Sequence, residues 1–234
     1  MSDYLSPETA AGYRARIAGP IGRYLEELES KPIRTRFGDL TGKRALDLGT
    51  GTGRFAEQAL SARAAFVVGA DIALPMLQVA SRQLTDERLG WAVMDAGRPA
   101  LRAEAFDLIT AIGTFERLPE GVSLNEMLGT LAALLAPGGL VLMTAWNADR
   151  WLPWKWLDFT QPVAVIGERE VIEAAQTAGL SVEHLSSTLF EPRRLGPRLV
   201  RLGFGRTLVA FNRWMARHAP SRGRQWIVSL RKPR

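Results

Sequence analysis

Apolar side chains recur along residues 7–29 at helical spacing, through Tyr13, Ile17, Ile21, Tyr24, Leu25 and Leu28. Gly19-Pro20 divides this stretch into two predicted helices. From residue 45 the pattern changes. Short, largely apolar runs at 45–48, 65–71, 90–94, 106–111 and 140–145 read as strands, while 55–62, 74–84 and 124–135 read as helices. Strands apolar on both sides, alternating with helices, predict a parallel sheet covered on both faces. Further on, 146–161 reads as an aromatic loop, 168–178 as a helix closed by Gly179, and 181–185 as a strand. Residues 195–218 are basic and amphipathic, interrupted at Gly203 and Gly205, and 225–230 is the last predicted strand.

At the end of the first strand, Asp47-Leu48-Gly49-Thr50-Gly51-Thr52-Gly53 sets three glycines at alternate positions. Glycine permits positive φ and lets a ligand approach the backbone without a Cβ in the way. Strand ends of this kind are where open α/β sheets bind ligands. A tight turn with no ligand is the plainer alternative, but it seldom calls for three alternating glycines. A dinucleotide fingerprint, G-x-G-x-x-G, would end on Arg54 if begun at Gly49. Begun at Gly51 it ends on Ala56, the looser variant, and leaves Asp47 and Gly49 without a role. A ligand without a pyrophosphate fits better.

D-x-G-x-G-x-G after a strand resembles the first motif of the class I S-adenosylmethionine-dependent methyltransferases, in their small-molecule branch. The similarity runs from about residue 40 to 145. Val68-Gly69-Ala70-Asp71 resembles the second-strand motif, Met94-Asp95-Ala96 the third, the stretch 106–119 the fourth, and 134–139 the turn before the fifth strand. The resemblance implies a Rossmann-like methyltransferase fold: a mostly parallel seven-stranded sheet, helices on both faces and an antiparallel C-terminal strand. It divides the chain into a helical cap over 1–40 and a methyltransferase domain over 41–234. Within that domain lie the aromatic loop, 146–165, and a basic insertion, 190–222.

The cofactor implied is S-adenosylmethionine, on Asp47, Gly49, Thr50, Gly51, Gly53, Asp71, Ile72, Met76, Asp95, Ala96, Ala111 and Ile112. Asp71 would accept both ribose hydroxyls, Asp95 would meet the adenine amino group, and Ile72 and Met76 would sandwich the ring. Asp95 as a turn cap, and Ile72 and Met76 as plain core, remain open alternatives.

The composition of the 234 residues, 47% hydrophobic and 23% charged, is that of an ordinary globular α/β domain. The charge is unevenly placed. Residues 190–234 hold twelve Lys or Arg and one acid, Glu191, whereas the rest holds eighteen basic and twenty-three acidic side chains. The absence of cysteine excludes disulfides, cysteine–zinc sites and a thiol nucleophile, and no metal is expected. No apolar run reaches 18 residues, and the N-terminus lacks a secretory pattern, so a cytoplasmic location is expected.

Methyl transfer needs a general base only if the acceptor must lose a proton. The family often has a histidine where this chain reads Glu116-Arg117, which makes Glu116 the candidate here, with an acid at a helix start as the open alternative and the base left unassigned. His184 and His218 read as structural or solvent-facing. The aromatic-flanked Pro-Pro motif of nucleobase amine methylation is missing, so nucleic acid is not the expected acceptor. A small, apolar or lipid-like acceptor is expected, with Tyr13, Trp146, Trp151 and Trp154 as candidate contacts. Seven arginines interleaved with apolar residues over 193–217 predict a helix on an anionic membrane face, a lid, or a solvated basic helix on the body. The alternatives kept open are an RNA-associated methyltransferase, whose binding would weaken steeply with salt, and a non-catalytic cofactor-binding protein.

Overall fold

Gly19, in extended conformation, caps a second helix that begins on Pro20, where a missing N–H is harmless. The computed structural model describes residues 6–117, 121–151 and 164–234. It opens with α1 (Pro7–Ala18) and α2 (Pro20–Leu25), a wide π-helical turn at Glu26–Ser30 and the short α3 (Lys31–Arg34). The alternating body follows as β1 (Arg44–Leu48), α4 (Arg54–Ser61), β2 (Phe66–Asp71), α5 (Leu74–Gln83), β3 (Leu89–Val93) and β4 (Phe106–Ala111). A single 3-10 turn at Phe115–Arg117 leads to α6 (Leu124–Leu134), β5 (Leu135–Asn147), β6 (Val165–Ile166) and α7 (Glu168–Thr177). The last elements are β7 (Ser181–Thr188), α8 (Leu195–Arg201), α9 (Gly205–His218) and β8 (Gln225–Arg231).

These strands form one eight-stranded sheet of order β3-β2-β1-β4-β5-β8-β7, with β6 paired to β5 outside that path. Among the described strands, only β8 runs antiparallel to its neighbours, β5 and β7. The sheet has one strand more than the expected seven: β6 is two residues long, too short to leave a periodic signal. The chain leaves β1 for β2 and β3, then returns to place β4 on the other side of β1. That reversal opens a crevice at the strand carboxyl ends.

Alternate residues of each central strand feed opposite faces. Leu46 and Leu48 of β1, Ile109 and Ala111 of β4, and Val141, Met143 and Ala145 of β5 pack with α6 and α7. Ala45, Leu108, Leu140 and Leu142 face the other way, against Phe55, Ala56 and Ala59 of α4 and Ile33 of α3. Trp226 of β8 is fully buried, and its indole N–H donates to the Ile166 carbonyl at 2.8 Å, tying β6 to the sheet. Truncating such a side chain costs about 3–5 kcal/mol.

Two expectations are corrected here. Pro137-Gly138-Gly139 was expected as a turn before a strand starting at residue 140; instead it is a bulge inside β5. Pairing jumps from Phe106↔Leu135 to Leu108↔Leu140, and Gly139 lies so close to the backbone oxygens of Ala136 and Phe106 that a Cβ would not fit. Trp146 belongs to β5, paired with Gln225 and Val165, and not to the aromatic loop.

The helical cap reaches across the crevice. Ala10 of α1 packs on Ala73 and Met76 at the start of α5. Tyr24 and Leu28 pack with Leu189, with Val200 of α8 and with Leu208 of α9.

Candidate active site

The glycine turn is held from beneath by Asp47. Its carboxylate is buried and accepts the Thr50 hydroxyl at 2.5 Å, the Ala56 N–H at 3.0 Å and the Thr110 hydroxyl at 2.7 Å. Burial holds this carboxyl above the ordinary aspartate range, and the three hydrogen bonds offset only part of that rise. Both oxygens are thus engaged inside the protein. Asp47, expected on the cofactor, is a brace of the turn and does not line the crevice.

Gly49, Gly51 and Gly53 all have positive φ, at 75°, 55° and 85°. A Cβ on Gly49 would lie 2.3 Å from the Thr114 hydroxyl, which itself donates to the Leu48 carbonyl at 2.7 Å. One on Gly53 would meet Leu84 at 2.7 Å and Trp91 at 2.9 Å. Gly51 differs: nothing lies within 4 Å of its Cβ position, so its backbone borders open space.

That space is a cavity of about 590 Å³, within the range of small-molecule sites. At one end stand Asp71, Ile72 and Met76 from the end of β2 and the start of α5, with Met94, Asp95 and Ala96 after β3. Asp71 accepts the Gly51 N–H on one oxygen and the Ala73 N–H on the other, each at 2.8 Å. Asp95 accepts the Gly97 N–H at 2.8 Å, so it does cap its own turn while lining the cavity. Ile72 is 43% exposed and Met76 2%, which places the first on the rim and the second in the wall.

Toward the other end, Ile112, Gly113, Thr114 and Glu116 follow β4. The Glu116 carboxylate accepts from the Gln225 amide at 2.7 Å. Ile21, Tyr24 and Leu25 of the cap and Trp146 of β5 complete an apolar wall, while Tyr13 lines the cavity beside Ala73 and Met76 at the first end. Of the remaining expected residues, Thr50, Gly53 and Ala111 frame the cavity from behind without lining it. Trp151 is 52% exposed and donates its indole N–H to the Phe190 carbonyl on the outside. Trp154 lies outside the described residues. His184 on β7 and His218 on α9 are both absent from the cavity wall.

Several charged and polar residues of the wall were not singled out in the sequence. Arg54 donates to Glu29 at 2.7 Å. Burial opposes its charge, but the neighbouring carboxylate prevails and holds the guanidinium above its ordinary range. Glu191 and Arg224 form an ion pair at 3.2 Å, 3% and 6% exposed. Asn212 of α9 donates to Glu191 at 2.9 Å and to the Tyr24 hydroxyl at 3.2 Å, and accepts the Phe190 N–H at 2.8 Å. Burial and the Glu191 carboxylate push the Tyr24 phenol upward, so it stays protonated. This network joins residues up to 200 positions apart, and no local pattern announces it. The outer wall is α8, which contributes Pro197 and Arg201, with Arg193 just before it.

On the far side of the α8–α9 hairpin, Leu202, Phe204, Phe211 and Trp214 are 71%, 54%, 37% and 55% exposed. Among the described residues, no helix is long and apolar enough to cross a membrane.

A glycine turn, a strand-end carboxylate and an apolar slot at a sheet reversal define an α/β domain built for a nucleoside-type ligand. More particularly, the chain belongs to the methyltransferase domain family, whose model matches residues 21–185. It is 32% identical over 128 residues to a ubiquinone biosynthesis O-methyltransferase of Stutzerimonas stutzeri, covering 52% of this chain and 53% of that protein. It is 40% identical over 105 residues to a demethylmenaquinone methyltransferase of Thermus thermophilus, covering 43% and 46%. The chain thus spans about half the length of these curated relatives. Among solved structures, an S-adenosylmethionine-dependent methyltransferase from Mesorhizobium loti superposes with a TM-score of 0.67 at 18% identity, covering 92% of this chain and all of that one. At that identity the likeness concerns the fold.

Proposed function

We propose that this chain is an S-adenosylmethionine-dependent methyltransferase acting on a small, apolar, quinone-like acceptor. Asp71 carries the assignment. It lines the cavity at the end of β2 while each of its oxygens holds one backbone N–H. Each oxygen has a second lone pair, so two ribose hydroxyls can be accepted without releasing the turn. Ile72 and Met76 then flank the adenine, Asp95 and Ala96 meet its polar edge, and the backbone of the glycine turn and of Ile112, with Ala111 behind it, holds the methionyl end. Bound S-adenosylmethionine supplies an electrophilic methyl group on a sulfonium sulfur. The protein's own task is to hold the acceptor in line with that group and to exclude water.

Trp146 lines the acceptor end, Tyr13 reaches toward the acceptor from beside Met76, and Glu116 takes the proton of an acceptor hydroxyl. Relatives named for ubiquinone and demethylmenaquinone methylation support an acceptor of this kind. We assign the protein to the cytoplasm, resting on the anionic face of a membrane through 195–218. The exposed Leu202, Phe204, Phe211 and Trp214 among arginines support that docking.

Incubation with methyl-labelled S-adenosylmethionine and a panel of hydroquinones and catechols tests the reading. Label transfer to a ring hydroxyl is expected. Cofactor binding with no transfer to any member of the panel would favour a non-catalytic role. Flotation with phosphatidylglycerol vesicles tests the docking: Phe211→Ala with Trp214→Ala should reduce it, and tight, salt-sensitive RNA binding by 195–218 would displace the membrane reading.

A further inference from the structure

Each carboxylate that lines the cavity already has a partner. Glu29 is paired with Arg54, Glu191 with Arg224, and Glu116 accepts from Gln225. Asp71 and Asp95 hold backbone N–H groups at the end given to the cofactor. On the outer wall Glu191, packed against Gly196 of α8, is neutralised by Arg224, and the charge that remains there is positive. Arg201 lines that wall one turn after Pro197, and residues 192–218 contain no acid at all. Among the described residues, no carboxylate pairs with Arg201. A cleft with low-dielectric walls focuses such a charge onto whatever enters.

We infer that the acceptor carries an anionic group, a carboxylate, phosphate or sulfonate, that docks on Arg201 while its apolar body lies against Tyr24, Leu25 and Trp146. This rests on the methyltransferase reading, which gives the inner end of the cavity to the cofactor and leaves the α8 end to the acceptor. A guanidinium suits the role because its planar fork can meet two oxygens of such a group at once. Arg201 therefore sets specificity, selecting acidic over neutral acceptors of the same shape, and takes no part in the transfer itself.

The probes are 8-anilinonaphthalene-1-sulfonate and N-phenyl-1-naphthylamine, one ring system with and without an anionic group. Their fluorescence is titrated with the protein saturated with S-adenosylhomocysteine. The wild type is expected to bind the sulfonate about tenfold more tightly than the neutral amine. Arg201→Glu should erase that preference and leave binding of the neutral amine unchanged. Arg206→Glu, the same charge change on exposed α9, should leave both intact. Equal affinity for the two probes in the wild type, or equal losses in the two variants, would overturn the inference. So would an Arg201→Glu variant that loses vesicle flotation but keeps its sulfonate preference, since Arg201 would then serve the lipid surface. Calorimetry with S-adenosylhomocysteine, run first, keeps the failures apart. Absence of binding there would sink the methyltransferase reading, while the probe preference is still read on the free protein.

Discussion

The Asp71 carboxylate accepts the Gly51 N–H at 2.8 Å, linking the tip of β2 to the middle of the glycine turn that follows β1. Its other oxygen holds the Ala73 N–H at the same distance, which fixes the entry to α5. One side chain thus sets the spacing between the turn and the apolar slot. The shape of this end of the cavity therefore depends on that carboxylate.

Gly49 and Gly51 should respond differently to alanine. At Gly49 the new methyl group meets the Thr114 hydroxyl at 2.3 Å, on a backbone with φ of 75°. Left-handed strain and the clash together should lower stability by about 3 kcal/mol in urea unfolding. At Gly51 there is open space, so the stability loss should be only about 1 kcal/mol. Cofactor affinity should nevertheless fall by about tenfold or more at Gly51, because the methyl group borders the cavity. Equal losses of stability at the two positions would contradict this division.

Asp47→Ala should behave as a structural lesion. It strands the Ala56 N–H and the Thr50 hydroxyl in a buried site and leaves the Thr110 hydroxyl only the Leu46 carbonyl, at 3.4 Å. A loss of about 3 kcal/mol in unfolding free energy is expected, with Asp47→Asn losing less because one oxygen remains. An Asp47→Ala protein of wild-type stability would show that the turn stands without this brace.

Much of this was legible in the sequence because it is local. The alternating glycines, Asp71 after an apolar run and the strand–helix alternation follow from nearest neighbours and periodicity. The facing of Asp47 is not local. A carboxylate at a strand end can point to ligand or to protein, and Thr110, 63 positions away, helps decide which. The last fifth of the chain read as a basic appendage, yet Arg224 is buried against Glu191, and Arg201 lines the cavity. Those roles depend on the cap, whose Tyr24 meets Asn212 across 188 positions. In the sequence Trp146 reads as loop because a run of tryptophans masks the pairing that draws the first of them into β5.

Glu116→Gln should leave cofactor affinity unchanged and lower kcat by about a hundredfold. The amide keeps the size of the side chain but cannot take a proton at neutral pH. An unaltered rate would mean that the acceptor proton leaves by another route.

His184 gives the fold a pH dependence. Its Nε2 lies 2.6 Å from an Arg36 guanidinium nitrogen and 2.7 Å from the Ser186 hydroxyl. A guanidinium can only donate, so Nε2 accepts and the ring is neutral, with its proton on Nδ1. Burial first, and the Arg36 charge second, hold the imidazole below its ordinary value of 6.5. The unfolded chain therefore takes up the proton before the native one does. Stability is fully present above about pH 6.5 and declines as pH falls through the lower native value. Tm measured from pH 7.5 to 5 should fall less in His184→Asn than in the wild type; parallel curves would remove His184 from the account.

The most direct measurement is calorimetric titration of S-adenosylmethionine into the wild type and into Asp71→Ala. Saturable one-site binding is expected, weakened by about a hundredfold or more when the carboxylate that lines the cavity and holds Gly51 is removed. Wild-type affinity in Asp71→Ala, or no binding by the wild type, would contradict the assignment of this cavity to the cofactor.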